Sequence, residues 1–174
     1  MWNKTLCVAI MFCSGITLAN SHQGYGHIRV GGEIVASACA IAIDDVWQEI
    51  DFGGISLKDI SVGKYNSKVF YIHLLNCEIE KQQGGLWKSA QITFDGLPES
   101  DEPTLFAMKG DGEGVALQIT DSVGNKAVVG EPLSAVELAG EQLSLKYTLH
   151  LVSNGQKLSA GEVSSLVRFM VTYQ

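Results

Sequence analysis

The residues able to do chemistry are few and dispersed. The chain holds four cysteines, four histidines and 19 carboxylates in 174 residues. A zinc site needs cysteine and histidine ligands at short spacings, and a dithiol redox site needs C-x-x-C. Neither pattern occurs, and no histidine stands at ligand spacing from Cys39 or Cys77. His22, His27, His73 and His150 are scattered, which predicts surface or edge positions. Gly110-Asp-Gly-Glu-Gly114 superficially looks like a phosphate loop, but no Lys-Ser/Thr follows and the next segment has strand character, so it reads as a turn. No serine sits in a nucleophile elbow, and no pair of carboxylates can be given acid and base roles by position. Trp47 and Trp87 are expected in a core or a packed loop. The chemistry left is oxidation of two thiols to a disulfide; neither catalysis, a metal nor a cofactor is expected.

Which thiols survive depends on the first segment. Residues 1–18 carry one positive charge at Lys4, an apolar stretch from Leu6 to Phe12 and the ending Thr17-Leu18-Ala19. That is the pattern of a secretory signal peptide cut after Ala19, too short and interrupted to span a bilayer. A lipoprotein signal is not expected, because Phe12 precedes Cys13. Cleavage removes Cys7 and Cys13 and leaves Cys39 and Cys77, so an exported chain is expected to bridge these two. The chain-entropy estimate for such a loop is roughly 4 kcal/mol.

The remaining 155 residues (174 minus 19) suffice for one domain with its own core. The formal charge of −7 becomes −8 when Lys4 leaves, with acidic residues scattered. Nucleic acid is not expected as a partner, because phosphate binding needs a basic patch.

Apolar residues recur with period two or in short runs, punctuated by Gly, Asn and Asp, which predicts an all-β fold. Strands are expected over residues 33–43, 68–76, 90–94, 115–120, 142–153 and 162–173. At most one helical turn is expected, around Asp101 to Met108. Asn154-Gly155 predicts a type I′ turn between the last two strands, and Val123-Gly124-Asn125 a second turn. Six strands, short turns and one bridge fit an immunoglobulin-like β-sandwich.

Two segments do not fit a complete sandwich. Val167, Phe169, Val171 and Tyr173 alternate along the last strand, yet no strand follows to cover its edge. At the other end, Gly24, Gly26, Ile28, Val30 and Gly32 share one parity in a strand with no evident neighbour. Residues 20–32 reach on the order of 40 Å when extended. Their glycines allow close backbone approach, with Ile28 and Val30 as apolar plugs. A rival arrangement folds this segment back as the missing strand of its own domain, making a self-sufficient secreted binding module.

The sequence resembles the pilin subunits of chaperone–usher fimbriae. The resemblance rests on Gly32-Glu-Ile-Val with Ala38-Cys39, Leu74-Leu-Asn-Cys77, Ile92-Thr-Phe-Asp-Gly96, Gly114-Val-Ala-Leu-Gln-Ile119, Ala160-Gly161 and Phe169-Met-Val-Thr-Tyr173. Gly161, fourteenth from the end, and the penultimate Tyr173 are specific to that family's pattern. The resemblance implies an incomplete immunoglobulin-like β-sandwich lacking its last strand, with residues 1–19 as signal, 20–32 as donor extension and 33–174 as pilin domain. It implies that a periplasmic chaperone fills the resulting groove first and that a neighbouring subunit's N-terminal extension replaces it at the outer-membrane usher. Gly24, Gly26, Ile28, Val30 and Gly32 become the donor residues by this resemblance, and Gly161, Val167, Phe169, Val171 and Tyr173 the acceptor-groove and chaperone-recognition residues. The implied place is a fimbria on the bacterial surface, where the subunit supports adhesion indirectly. Residues 45–53, with Asn76-Cys-Glu-Ile and Asn154-Gly-Gln-Lys-Leu, look most like the P-pilus anchor subunit that ends assembly, whereas the short N-terminus looks like that of a shaft pilin.

Overall fold

In the computed structural model, the described residues are 27–31, 38–64, 66–80, 84–100 and 102–174. The chain divides into two units, residues 1–34 and the body from residue 35 onward. The expected signal peptide, Gly24, Gly26 and Gly32 lie outside the described residues. Within the first unit, Ile28 and Val30 are 91% and 89% exposed.

The body is built almost wholly of strands because its apolar residues alternate. Among the described residues these are β1 (Ala40–Ile41), β2 (Asn66–Leu75), β3 (Ser89–Asp95), β4 (Pro98–Glu99), β5 (Glu102–Ala107), β6 (Lys109–Gly110), β7 (Val115–Asp121), β8 (Val136–Glu137), β9 (Leu143–Ser153), β10 (Val163–Ser164) and β11 (Arg168–Tyr173). They form a six-stranded sheet in the order β1-β2-β9-β7-β5-β4, a three-stranded sheet β11-β3-β8, and a ribbon β10-β6. All named pairings are antiparallel.

The core lies between the two larger sheets. Ile72, Leu74, Leu117, Ile119, Leu145, Tyr147 and Leu149 face it from one side, and Ala90, Ile92 and Phe94 from the other. An aromatic cluster bridges the layers: the Phe94 ring stands edge-on to Tyr147 with centroids 5.0 Å apart, and Phe70 lies 5.5 Å from Tyr147 and 6.0 Å from Phe94. Such geometry lets the positive ring edge of one residue meet the negative face of another. Cys39 and Cys77 form the expected disulfide, which ties β1 to the end of β2.

Five expectations are corrected. In place of the helical turn expected around Asp101 to Met108, residues 102–107 form β5, because pairing of Phe106 with Leu117 buries Leu105 and Phe106. The one α-helix among the described residues is the five-residue Leu57–Ser61, whose N-cap Ser56 accepts a bond from Lys58 N–H. Asn154-Gly155 does not make a type I′ hairpin: only Gly155 has positive φ, and β9 and β11 belong to different sheets. The chain instead turns through bonds from Gly155 N–H to Ser153 Oγ and from Gln156 N–H to Asn154 Oδ1. The last strand breaks into β10 and β11, which pair with β6 and β3 respectively. The first ends early, since Ile43–Asp45 forms a 3-10 turn. Trp47 is 78% exposed, so it belongs to neither a core nor a packed loop.

Candidate functional site

The alternation seen in the last strand has a structural consequence. In β11, Phe169, Val171 and Tyr173 turn toward the core while Arg168, Met170 and Thr172 face outward. The register pairs Phe169 with Phe94, Val171 with Ile92 and Tyr173 with Ala90. Among the described residues β11 is the outermost strand of its sheet, so its inward residues remain only half-buried.

Beside β10 and β11 runs a groove of about 1660 Å³. Its interior is apolar, with Phe70, Phe94, Leu117, Ile119, Leu149 and Leu151 among the lining residues. Gly161, Val167 and Phe169 are among its lining residues. Val171 and Tyr173 do not line it. They pack at the far end of the same strand, where Tyr173 approaches Trp87 edge-on and donates from its hydroxyl to the Cys39 carbonyl at 3.1 Å.

The other wall is formed by residues 45–55, which sequence reasoning missed. Ile50, Phe52 and Ile55 of this segment pack on the core clusters. Its main chain is not in a sheet, and among the described residues the amides of 47–52 donate to no backbone carbonyl. The signal was present in the shared parity of Val46, Ile50 and Phe52. It was masked by the charges between them. Among the described residues, the groove therefore lies between an outermost strand and a segment whose amides at 47–52 have no backbone acceptor.

One end is built from backbone against backbone. A Cβ placed on Gly161 would stand 2.3 Å from Gly112 N, and one on Gly110 would run into the Glu162 carbonyl. Only glycine permits this approach. The expected turn at Gly110–Gly114 is thus in part a strand, β6, whose neighbour β10 carries Val163 to the groove.

Among the described residues no three His, Cys, Asp or Glu side chains are grouped as metal ligands. His150 pairs with Thr120 Oγ1 at 3.1 Å, and burial lowers its pKa. His73 lies beside Asp45, with Nδ1 2.8 Å from the carboxylate, a proximity that a sequence separation of 28 conceals.

Residues 28–174 match the family described as fimbrial protein. The chain is 38% identical over 152 residues to the PRS fimbrial minor pilin protein of Escherichia coli, covering 86% of this chain and 77% of that one. It matches the PAP fimbrial minor pilin protein of the same organism with the same identity and coverage. Its fold superposes on a subunit from a solved chaperone–usher pilus with a TM-score of 0.73 at 25% identity, over 87% of this chain and 97% of that one.

Proposed function

The chain belongs to the fimbrial protein family, and on that premise we propose that it is a minor structural subunit of a chaperone–usher fimbria. Its incomplete immunoglobulin-like sandwich receives a strand from another polypeptide in the groove between residues 45–55 and β11. The observation that carries this reading is the groove itself: an apolar slot with, among the described residues, an outermost strand on one side and amides lacking backbone acceptors on the other. A strand laid there meets main-chain partners at its sides and apolar floor below, the two requirements of β-strand addition. Each Val or Ile side chain it inserts contributes about 1.5–3 kcal/mol when fully buried.

The donor is first a periplasmic chaperone and then the N-terminal extension of a neighbouring subunit, exchanged at the outer-membrane usher. This chain's own residues 20–32 serve the next subunit in turn, with Gly24, Gly26, Ile28, Val30 and Gly32 in the acceptor's slot. The exposed Ile28 and Val30 support that use. The 38% identity to two minor pilins supports the minor role. Export through the periplasm to a surface fimbria follows from the same reading.

Periplasmic expression with and without a pilus chaperone tests the proposal. The expected result is a soluble 1:1 complex when the chaperone is present and aggregation or proteolysis when it is absent. A stable monomer indifferent to the chaperone overturns it. Adding N-terminal peptides of other pilins to the complex then reads the position in the fimbria: displacement of the chaperone marks an internal subunit, and refusal marks the subunit that ends assembly.

A further inference from the structure

Resting on the groove reading just given, we propose that Asp45 and Gln48 are positioning residues that replace strand hydrogen bonds along one side of β2 and thereby fix where the 45–55 wall begins. β1 runs beside β2 through Ala40 and Ile41, and the ladder continues for one more bond, from Ala42 N–H to the His73 carbonyl at 2.9 Å. The chain then leaves. A 3-10 turn, closed by Asp45 N–H to the Ala42 carbonyl at 2.9 Å, lifts it off the strand.

The side of β2 that it abandons is nonetheless occupied by side chains. His73 N–H donates to Asp45 Oδ2 at 2.6 Å, and the Tyr71 carbonyl accepts from Gln48 Nε2 at 2.8 Å. These groups are two residues apart on β2 and so point to the same side, where a paired strand would have met them. Asp45 and Gln48 also approach each other, with Nε2 3.4 Å from Oδ1. The His73 ring reaches the same carboxylate oxygen through Nδ1 at 2.8 Å.

The substitution of side chains for main chain has two effects. It satisfies β2 without requiring residues 43–48 to lie along it, so the following backbone is free to line the groove. It also anchors the wall at its start, because Asp45 is only 8% exposed and a buried carboxylate is held where its donors are. The far end of the wall is held by the packing of Ile55 and the Ser56 helix cap. If the bond to the His73 amide is what matters, an acceptor at position 45 is required and the imidazole is not.

The experiment uses the full chain co-purified with the pilus chaperone of Escherichia coli PAP fimbriae, comparing Asp45→Ala, Asp45→Asn and His73→Ala with the wild type. Amide hydrogen exchange is read by segment, and chaperone release is followed by exchange against labelled chaperone. Asp45→Ala is expected to raise exchange in residues 46–55 and to speed chaperone release, each on the order of tenfold, with β7 and β9 unchanged. Asp45→Asn keeps an acceptor and His73→Ala keeps the backbone donor, so both should stay within about threefold of wild type. Unchanged exchange in residues 46–55 of Asp45→Ala, or an increase spread equally over β7 and β9, overturns the proposal. Failure of the wild-type chain to bind the chaperone overturns the groove reading itself, a distinct result from a wild-type complex whose wall is indifferent to Asp45.

Discussion

At the scale of single residues, burial and local partners decide what each side chain contributes. Tyr147 is buried between the sheets, and desolvation, joined by the negative charge of Asp121, pushes its pKa well above the ordinary phenol value. In the unfolded chain the phenol ionises near pH 10, whereas in the folded chain it stays neutral. Its contribution to stability is therefore complete below about pH 10 and is lost as the pH rises beyond it. Tyr147→Phe should decline less steeply than wild type in denaturant midpoints measured across that range. His150 has the opposite sign: burial lowers its pKa, so its contribution is present above about pH 6.5 and is lost as acid protonates first the unfolded chain. Replacing it with glutamine should flatten the acid side of the same profile. Tyr173→Phe removes the hydroxyl bond to the Cys39 carbonyl and is expected to cost about 0.5–1.5 kcal/mol by urea unfolding of the donor-complemented subunit. The pairing of Cys39 with Cys77 was legible because these are the two cysteines that lie outside the expected leader. The exposure of Trp47 was not, since residue type states a preference for burial and says nothing of which neighbours arrive to provide it.

Among the elements, long alternating strands were legible and short or charged ones were not. β2, β3, β7 and β9 fall within two residues of their expected bounds because their alternation is set by a buried face. β5 was missed because Glu102 and Pro103 open it, and its strand character comes from β7 alongside. Asn154-Gly155 has the composition of a hairpin turn, yet the segment after it docks on β6, which no local preference encodes. The contact of Gly161 with Gly112 is a tight constraint at this scale. Gly161→Ala places a methyl against main chain, not against a flexible side chain, so β10 must move away from β6. We expect a loss of about 1–3 kcal/mol, read as a lower urea midpoint of the donor-complemented subunit, with weaker strand capture because β10 carries one wall of the groove. Gly124 has a positive φ, which costs an alanine some backbone strain, but its Cβ would meet nothing within 4 Å, so it should tolerate alanine better.

For the whole molecule, the proposed function assigns donation and acceptance to different residues, so the two should separate genetically. A chain lacking residues 20–30 retains β11, the 45–55 wall and the disulfide. It should therefore still form a chaperone complex but fail to complete the next subunit, as measured by native electrophoresis of assembly mixtures. Loss of chaperone binding on that deletion would mean that the segment belongs to its own domain's sheet. The sequence by itself determined the all-β class, the disulfide, the half-covered last strand and the family, because each depends on residue type, parity or spacing along one stretch of chain. Only the tertiary structure decided that the slot has a second wall, that Val171 and Tyr173 pack outside its lining, and that Asp45 reaches His73. Those features depend on which backbone edges meet across long separations. That meeting is set by packing the two sheets over one core, and no local pattern specifies it.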